Sequence, residues 1–338
     1  PPTDEPSRYE RKCRSYCCSR SSLLASGARF AQRLLVLTAH RQGRVPAVRV
    51  RRLGPVAIFE RLWRDSGCQA VVEEVLVGRR FEFAVERALF LTVLHRLVLP
   101  GSDRAADKWK ADYPIAGSDE LQLHHLYRAM AWLGEKLPAD QQRQATPFAP
   151  RCVKDVIEEG LFHRHRDLFT DLEVVFFDTT SLYFEGERGE TLGHYGYSKD
   201  HRPDEKQMIV GAVLDGAGRP ICCELWPGNV TDVTTLMPIL DRLRRRFGLM
   251  RICIVADRGM ISAATVADLE QQGWQYILGA RMRKQVEVRD RVLADRGRFR
   301  VVHGPRRLAK DPAPLKVKDV GIDDRRYVVC VNADEVAA

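Results

Sequence analysis

The sequence predicts an α/β protein: a mixed sheet flanked by helices, with a small helical domain before it. Three observations carry this. Val174-Val175-Phe176-Phe177 is a short apolar run with two β-branched residues, the pattern of a buried strand, and it runs into Asp178. Ile252-Cys253-Ile254-Val255-Ala256 repeats the device and runs into Asp257. Between residues 173 and 280 the patterns follow the order strand, hairpin, helix, strand, helix, strand, which builds a sheet with helices packed on it.

Each element has a local reason. In residues 1–50 basic residues outnumber acidic ones, Ser and Cys cluster, and periodicity is weak, so a poorly ordered basic arm is expected. Residues 51–150 read as helical. Pro55–Trp63 and Cys68–Val77 are short helices on either side of Gly67, and Phe81–Leu99 is apolar nearly all round, as a central buried helix must be. Ser118 or Asp119 is expected to cap a helix reaching Leu137, just before Pro138. Helical signal then continues to about Phe169. His124-His125 and His163-x-His165 are read as structural or solvent-facing rather than as ligands.

Residues 151–282 hold the predicted sheet. A polar, glycine-rich loop spans 185–207. Met208–Leu214 and Pro220–Trp226 are strands joined by the turn Asp215-Gly216-Ala217-Gly218, where no helix follows the glycines, so a dinucleotide fingerprint is rejected. Thr234 or Thr235 caps a helix with Leu236, Leu240, Leu243 and Phe247 on one stripe; Arg242, Arg244, Arg245 and Arg246 are read as its solvent face. Ser262 caps a helix ending near Gly273, and Trp274–Ala280 is a strand. In residues 283–338, Lys316–Ile322 and Arg325–Asn332 read as a β-hairpin.

Composition bounds the function. The net charge of +9 over 338 residues favours a polyanionic partner, nucleic acid first. No apolar run approaches the ~20 residues of a membrane helix. Nine scattered cysteines, several inside strand patterns, point to reduced thiols in a cytosolic protein. Cys13-x3-Cys17-Cys18 lacks a matching pair at zinc-finger spacing.

The chemistry centres on Asp178 and Asp257. Taken singly, an aspartate after a strand is usually a turn residue or a cap. Taken together, two core strands that each deliver a carboxylate can hold Mg2+ or Mn2+, hard cations that prefer oxygen. Two such ions ~3.5–4 Å apart activate a water or a 3′-hydroxyl and stabilise the leaving oxygen of a phosphodiester. A complete site of that kind needs further oxygen ligands, typically a third carboxylate.

Four motifs then carry a resemblance: Phe176-Phe177-Asp178-Thr179-Thr180-Ser181, Ser198-Lys199-Asp200-His201-Arg202-Pro203-Asp204, Pro227-Gly228-Asn229-Val230-Thr231-Asp232 and Val255-Ala256-Asp257-Arg258-Gly259-Met260. In this order they resemble bacterial insertion-sequence transposases of the DDE class. The helical stretch 53–137, with Gly78–Phe83 and Leu123–Tyr127, also resembles that family's N-terminal region. The resemblance implies a ribonuclease-H-like core, metal-dependent cleavage and strand transfer at element ends, and Asp178 and Asp257 as metal-binding catalytic residues. It also implies double-stranded DNA as partner, a homodimer on DNA, and a cytoplasmic, nucleoid-associated location. Lys199, His201, Arg202 and Lys206 are candidates for DNA phosphates or members of a solvated charged loop. The family's third carboxylate is a glutamate on a later helix. No such helix is found; Glu335 is a poor substitute, residues 283–338 read as the start of a β-rich insertion, and a truncated, impaired transposase is expected. Two rival readings stay open: a metal-dependent nuclease of the same fold, and a non-catalytic DNA-binding remnant.

Overall fold

The computed structural model of the chain describes residues 41, 50–144, 150–166, 174–186, 189, 192–197, 201–280, 285–306, 308 and 310–332. The expected N-terminal arm apart from residues 41 and 50, Lys199 and Glu335 lie outside them.

The first unit is helical: α1 (Gly54–Asp65), α2 (Cys68–Val75), α3 (Val85–Val98), α4 (Asp103–Trp109), α5 (Leu123–Leu133) and α6 (Val153–His165). Gly67 separates α1 from α2 because it adopts φ 72°, a left-handed conformation that glycine enters without a Cβ penalty. Helix α3 is central, as its apolar sequence requires: Ala88, Leu89, Phe90, Leu91 and Leu94 are buried on several sides. Two expectations are corrected here. Helix α5 starts at Leu123, not near Ser118. Its first turn is closed by Gln122 and His125, while the buried Ser118 hydroxyl donates to the Ile115 carbonyl instead. Helix α4, capped by the Ser102 hydroxyl, was not foreseen.

The expected sheet is present: β1 (Val174–Tyr183), β2 (Gln207–Asp215), β3 (Pro220–Pro227), β4 (Cys253–Ala256) and β5 (Gln275–Leu278), in the order β3-β2-β1-β4-β5. Strands β1, β2 and β3 are antiparallel; β4 and β5 run parallel to β1. This is the mixed sheet flanked by helices that the sequence predicts. Crossover helices α7 (Leu236–Phe247) and α8 (Ala263–Gln271) flank it. The apolar stripe of α7 (Leu236, Ile239, Leu240, Leu243, Phe247) packs on Val175, Phe177, Ile209, Val213, Trp226 and Ile254. Ser262 caps α8 by accepting from the Thr265 N–H, as expected. The Asp215 turn also forms as read, its carboxylate accepting the Ala217 and Arg219 N–H groups. A second sheet, β6 (Arg300–His303), β7 (Leu315–Ile322) and β8 (Arg325–Asn332), contains the expected hairpin. Arg325 ties it to α8 through both oxygens of Glu270. Among the described residues no helix is long and apolar enough to cross a membrane.

The arginine run on α7 is a solvent face only in part: Arg245 is exposed, as expected. Arg242 and Arg246 are buried and meet carboxylates from α6 and β3. Arg246 reaches Asp155 (3.3 Å), Glu158 (3.1 Å), Glu159 (2.7 Å) and Glu224 (3.1 Å), while Arg242 reaches Glu224 (2.8 Å). Burial pushes the Glu224 carboxyl up to about 7 despite Arg242, Lys154 and Arg246. Burial would also raise Asp155, but Lys154 and Arg246, with help from the Cys152 N–H and Arg242, carry it below the usual carboxylate range.

This packing gives two stability predictions. Replacing Arg246 by Met should cost about 3–5 kcal/mol at neutral pH, because it strands buried carboxylates. Without the guanidinium their folded pKa values rise above the unfolded ones, so the mutant gains stability as pH falls and its deficit narrows towards pH 5. Denaturant midpoints of both proteins at pH 7 and pH 5 check this. Gly211→Ala should cost about 1–3 kcal/mol by overpacking. A Cβ there would sit 2.6 Å from the Trp226 ring and 2.8 Å from Phe177. A lowered melting temperature is the readout.

Candidate active site

Strand β1 continues past Asp178 to Tyr183, so Asp178 is a mid-strand residue and not a strand end as read from sequence. Its backbone pairs with Ala212 of β2. On its other side β1 pairs with β4: Val174 with Cys253, Val175 with Ile254, Phe176 with Val255 and Phe177 with Ala256. One further step of the same register sets Asp178 opposite Asp257. Neighbouring strands lie ~4.8 Å apart, so the register sets the two residues side by side.

The pleat decides which way they point. In β1 Val175, Phe177, Thr179 and Ser181 are buried, whereas Phe176, Asp178, Thr180 and Leu182 are exposed. In β4 Ile254 and Ala256 are buried, which leaves Asp257 on the same side as Cys253 and Val255. Both aspartates therefore stand on the sheet face opposite α7, and both are exposed. The Asp178 carboxylate accepts the Thr179 N–H at 2.8 Å. Asp257 has extended backbone (φ −74°, ψ 162°), and its carbonyl accepts the Met260 N–H to open the short 3-10 turn Arg258–Met260.

A third carboxylate, which sequence reasoning passed over, lies close by. Asp232 begins the 3-10 turn Asp232–Thr234, and its Oδ1 accepts from the Thr179 hydroxyl at 2.8 Å. A Cβ built on Gly259 would lie 3.6 Å from Asp232 Oδ2 and 3.9 Å from Asp257 Oδ2. Its signal was in the sequence, at the end of Pro227–Asp232, but nothing in that motif says where the turn folds back.

The donor set fits a hard cation in an open form. Among the described residues no group of three or more His, Cys, Asp or Glu side chains closes around a single ion position. Two exposed carboxylates at adjacent register suit Mg2+, which keeps several waters and takes one or two carboxylates with phosphate oxygens completing its shell.

The other candidates lie elsewhere. His201 is exposed with φ 57°; Arg202 pairs with Asp204 (3.2 Å) and Glu205 (3.0 Å) and stacks over Tyr183; the Lys206 carbonyl accepts the Phe184 N–H. Hydrogen bonding to Asp204 raises the Arg202 pKa, so its charge is fixed. His125 stacks on Phe83, and His165 meets the Ser66 carbonyl, in keeping with structural roles. The six described cysteines are free.

Residues 169–335 match the family model described as "Transposase DDE domain". Among solved structures, a piggyBac transposase synaptic complex with hairpin DNA aligns with 84% of this chain at 13% identity and a TM-score of 0.39. The chain spans 61% of that protein's length. The Mos1 strand transfer complex aligns with 72% of this chain and 75% of its own at 13% identity and a TM-score of 0.23. No curated protein matches the chain.

Proposed function

We propose, from the match of residues 169–335 to the transposase DDE domain family, that the chain supplies Asp178 and Asp257 as the metal-holding catalytic pair of an enzyme that cleaves DNA at insertion-sequence ends and joins the 3′ ends to a target. The observation that carries this reading is the parallel β1–β4 register, which sets the two carboxylates side by side on an exposed face.

On this reading Asp178 and Asp257 each lend carboxylate oxygens to Mg2+ or Mn2+. The bound cation supplies an activated water or 3′-hydroxyl and offsets charge on the leaving oxygen. The exposed face leaves room for a DNA backbone. Two bare carboxylates would repel it, and a cation held by Asp178 and Asp257 would offset that repulsion. The net charge of +9 supplies the attraction for the rest of the duplex. His201, Arg202 and Lys206, together with Lys199, are proposed phosphate contacts. The partner is double-stranded DNA, engaged by a homodimer in the cytoplasm. Residues 1–50 are a basic arm, 51–150 a helical N-terminal domain, 151–282 the catalytic core and 283–338 a β-rich segment.

A strand-transfer assay tests the reading, using duplexes that carry the ends flanking the encoding gene, plasmid target and Mn2+. Substituting Asp178 or Asp257 by Asn should each reduce joining at least about a hundredfold, since changes one shell further from a metal already cost 10–100-fold. The melting temperature should change little, because both residues are exposed. Hydrolysis without joining would instead favour a nuclease of the same fold. Joining that survives both substitutions would remove the pair from the mechanism.

A further inference from the structure

Asp257 has a positional problem that Asp178 does not. Asp178 is held in the middle of β1 by the ladder to β2. On β4, by contrast, the last paired residue is Ala256, so Asp257 stands one residue beyond the sheet. The chain then enters the short 3-10 turn Arg258–Met260. Some other contact must keep that turn in line with β1 if the two carboxylates are to share a ligand.

The turn Asp232–Thr234 packs against the turn Arg258–Met260. Asp232 reaches both sides of the junction. One oxygen accepts from the hydroxyl of Thr179, the residue after Asp178, which is only 4% exposed. The other oxygen lies 3.6 Å from where a Cβ on Gly259 would stand, a point 3.9 Å from Asp257 Oδ2, so it sits beside the turn that carries Asp257. Asp232 is itself anchored. Its carbonyl accepts both the N–H (3.1 Å) and the hydroxyl (2.7 Å) of the buried Thr235, at the start of α7. We infer that Asp232 is a positioning residue: it ties the turn that carries Asp257 to the strand that carries Asp178, and so holds the carboxylate pair in register. This inference rests on the metal-site reading of Asp178 and Asp257. Asp232 acts through its neighbours, not as a ligand.

The test compares Asp232→Ala, Asp232→Asn and Thr179→Val with the parent chain by two readouts. The first is native-state amide exchange. In Asp232→Ala the Met260 amide should exchange at least tenfold faster while the Val213 amide, within the β1–β2 ladder, keeps its rate. The second is Mn2+ binding, followed by the loss of the free-ion paramagnetic signal. Asp232→Ala and Thr179→Val should each weaken binding about 10–100-fold, and the double variant should be no weaker than Asp232→Ala alone. Asp232→Asn keeps an acceptor for Thr179 and should recover most of the affinity. An unchanged Met260 rate in Asp232→Ala overturns the inference, whatever the metal result. Equal acceleration of Met260 and Val213 also overturns it, since Asp232 would then support the whole fold and not the turn. Faster Met260 exchange in a chain whose parent lacks Asp178-dependent Mn2+ binding supports the tether and defeats the metal-site reading instead.

Discussion

Asp178 and Asp257 are neighbours because Val174 pairs with Cys253. In a parallel ladder, fixing one pair fixes every later one, and the register is enforced by burial. Val175 and Phe177 must face α7 together with Ile254 and Ala256. A slip of one residue on either strand would turn its apolar set to water and its aspartate into the core. The hydrophobic core thus sets the spacing of the polar pair. The close fit on the covered face serves the same end: Gly211 of β2 leaves the space that the rings of Phe177 and Trp226 fill.

Charge is handled in two opposite ways in this molecule. On the covered side, Arg246 is fully enclosed by Asp155, Glu158, Glu159 and Glu224, so buried charges find their counter-ions within the protein. That network joins α6 to α7 and β3. Helix α6 also presses Gly160 against Val71 of α2 and sends Phe162 into the sheet core beside Phe247. Helix α6 therefore connects the helical unit to the sheet through both apolar and ionic contacts. On the exposed side, Asp178 and Asp257 remain in water, where two carboxylates a strand apart coexist at modest cost.

Much of this was legible in the sequence. Apolar runs marked β1 and β4, the glycines after Asp215 marked the hairpin, and Ser262 marked the start of α8. The strand patterns allowed the two aspartates to be neighbours, and the parallel β1–β4 register makes their strands adjacent. Three things were hidden. The continuation of β1 beyond Asp178 through Thr179-Thr180-Ser181 reads as a turn because polar residues dominate it, yet Thr179 and Ser181 are buried where the sheet meets the start of α7. The burial of Arg242 and Arg246 depends on carboxylates from α6, far away in sequence; helical periodicity does not distinguish a solvated arginine from one facing Asp155. Asp232 could not be placed, because Thr179, whose hydroxyl donates to it, and the turn Arg258–Met260 that packs beside it lie on two other segments.

The contrast between the two kinds of charge bears on function. A buried carboxylate pair would have to be protonated or matched by a fixed cation, and either state would shut out a divalent ion. Exposure avoids this, but water does not hold a side chain still, and a metal pair needs oxygens fixed to within a fraction of an ångström. The fold resolves the conflict by separating the tasks. The carboxylates stand on the open face. The apolar residues of β1 and β4 that fix the register lie beneath it, and on the proposed reading Thr179 and the turn that begins at Asp232 hold the second carboxylate in line. Rigidity thus comes from the covered face and accessibility from the exposed one, and the sheet is thin enough for adjacent residues of one strand to serve both.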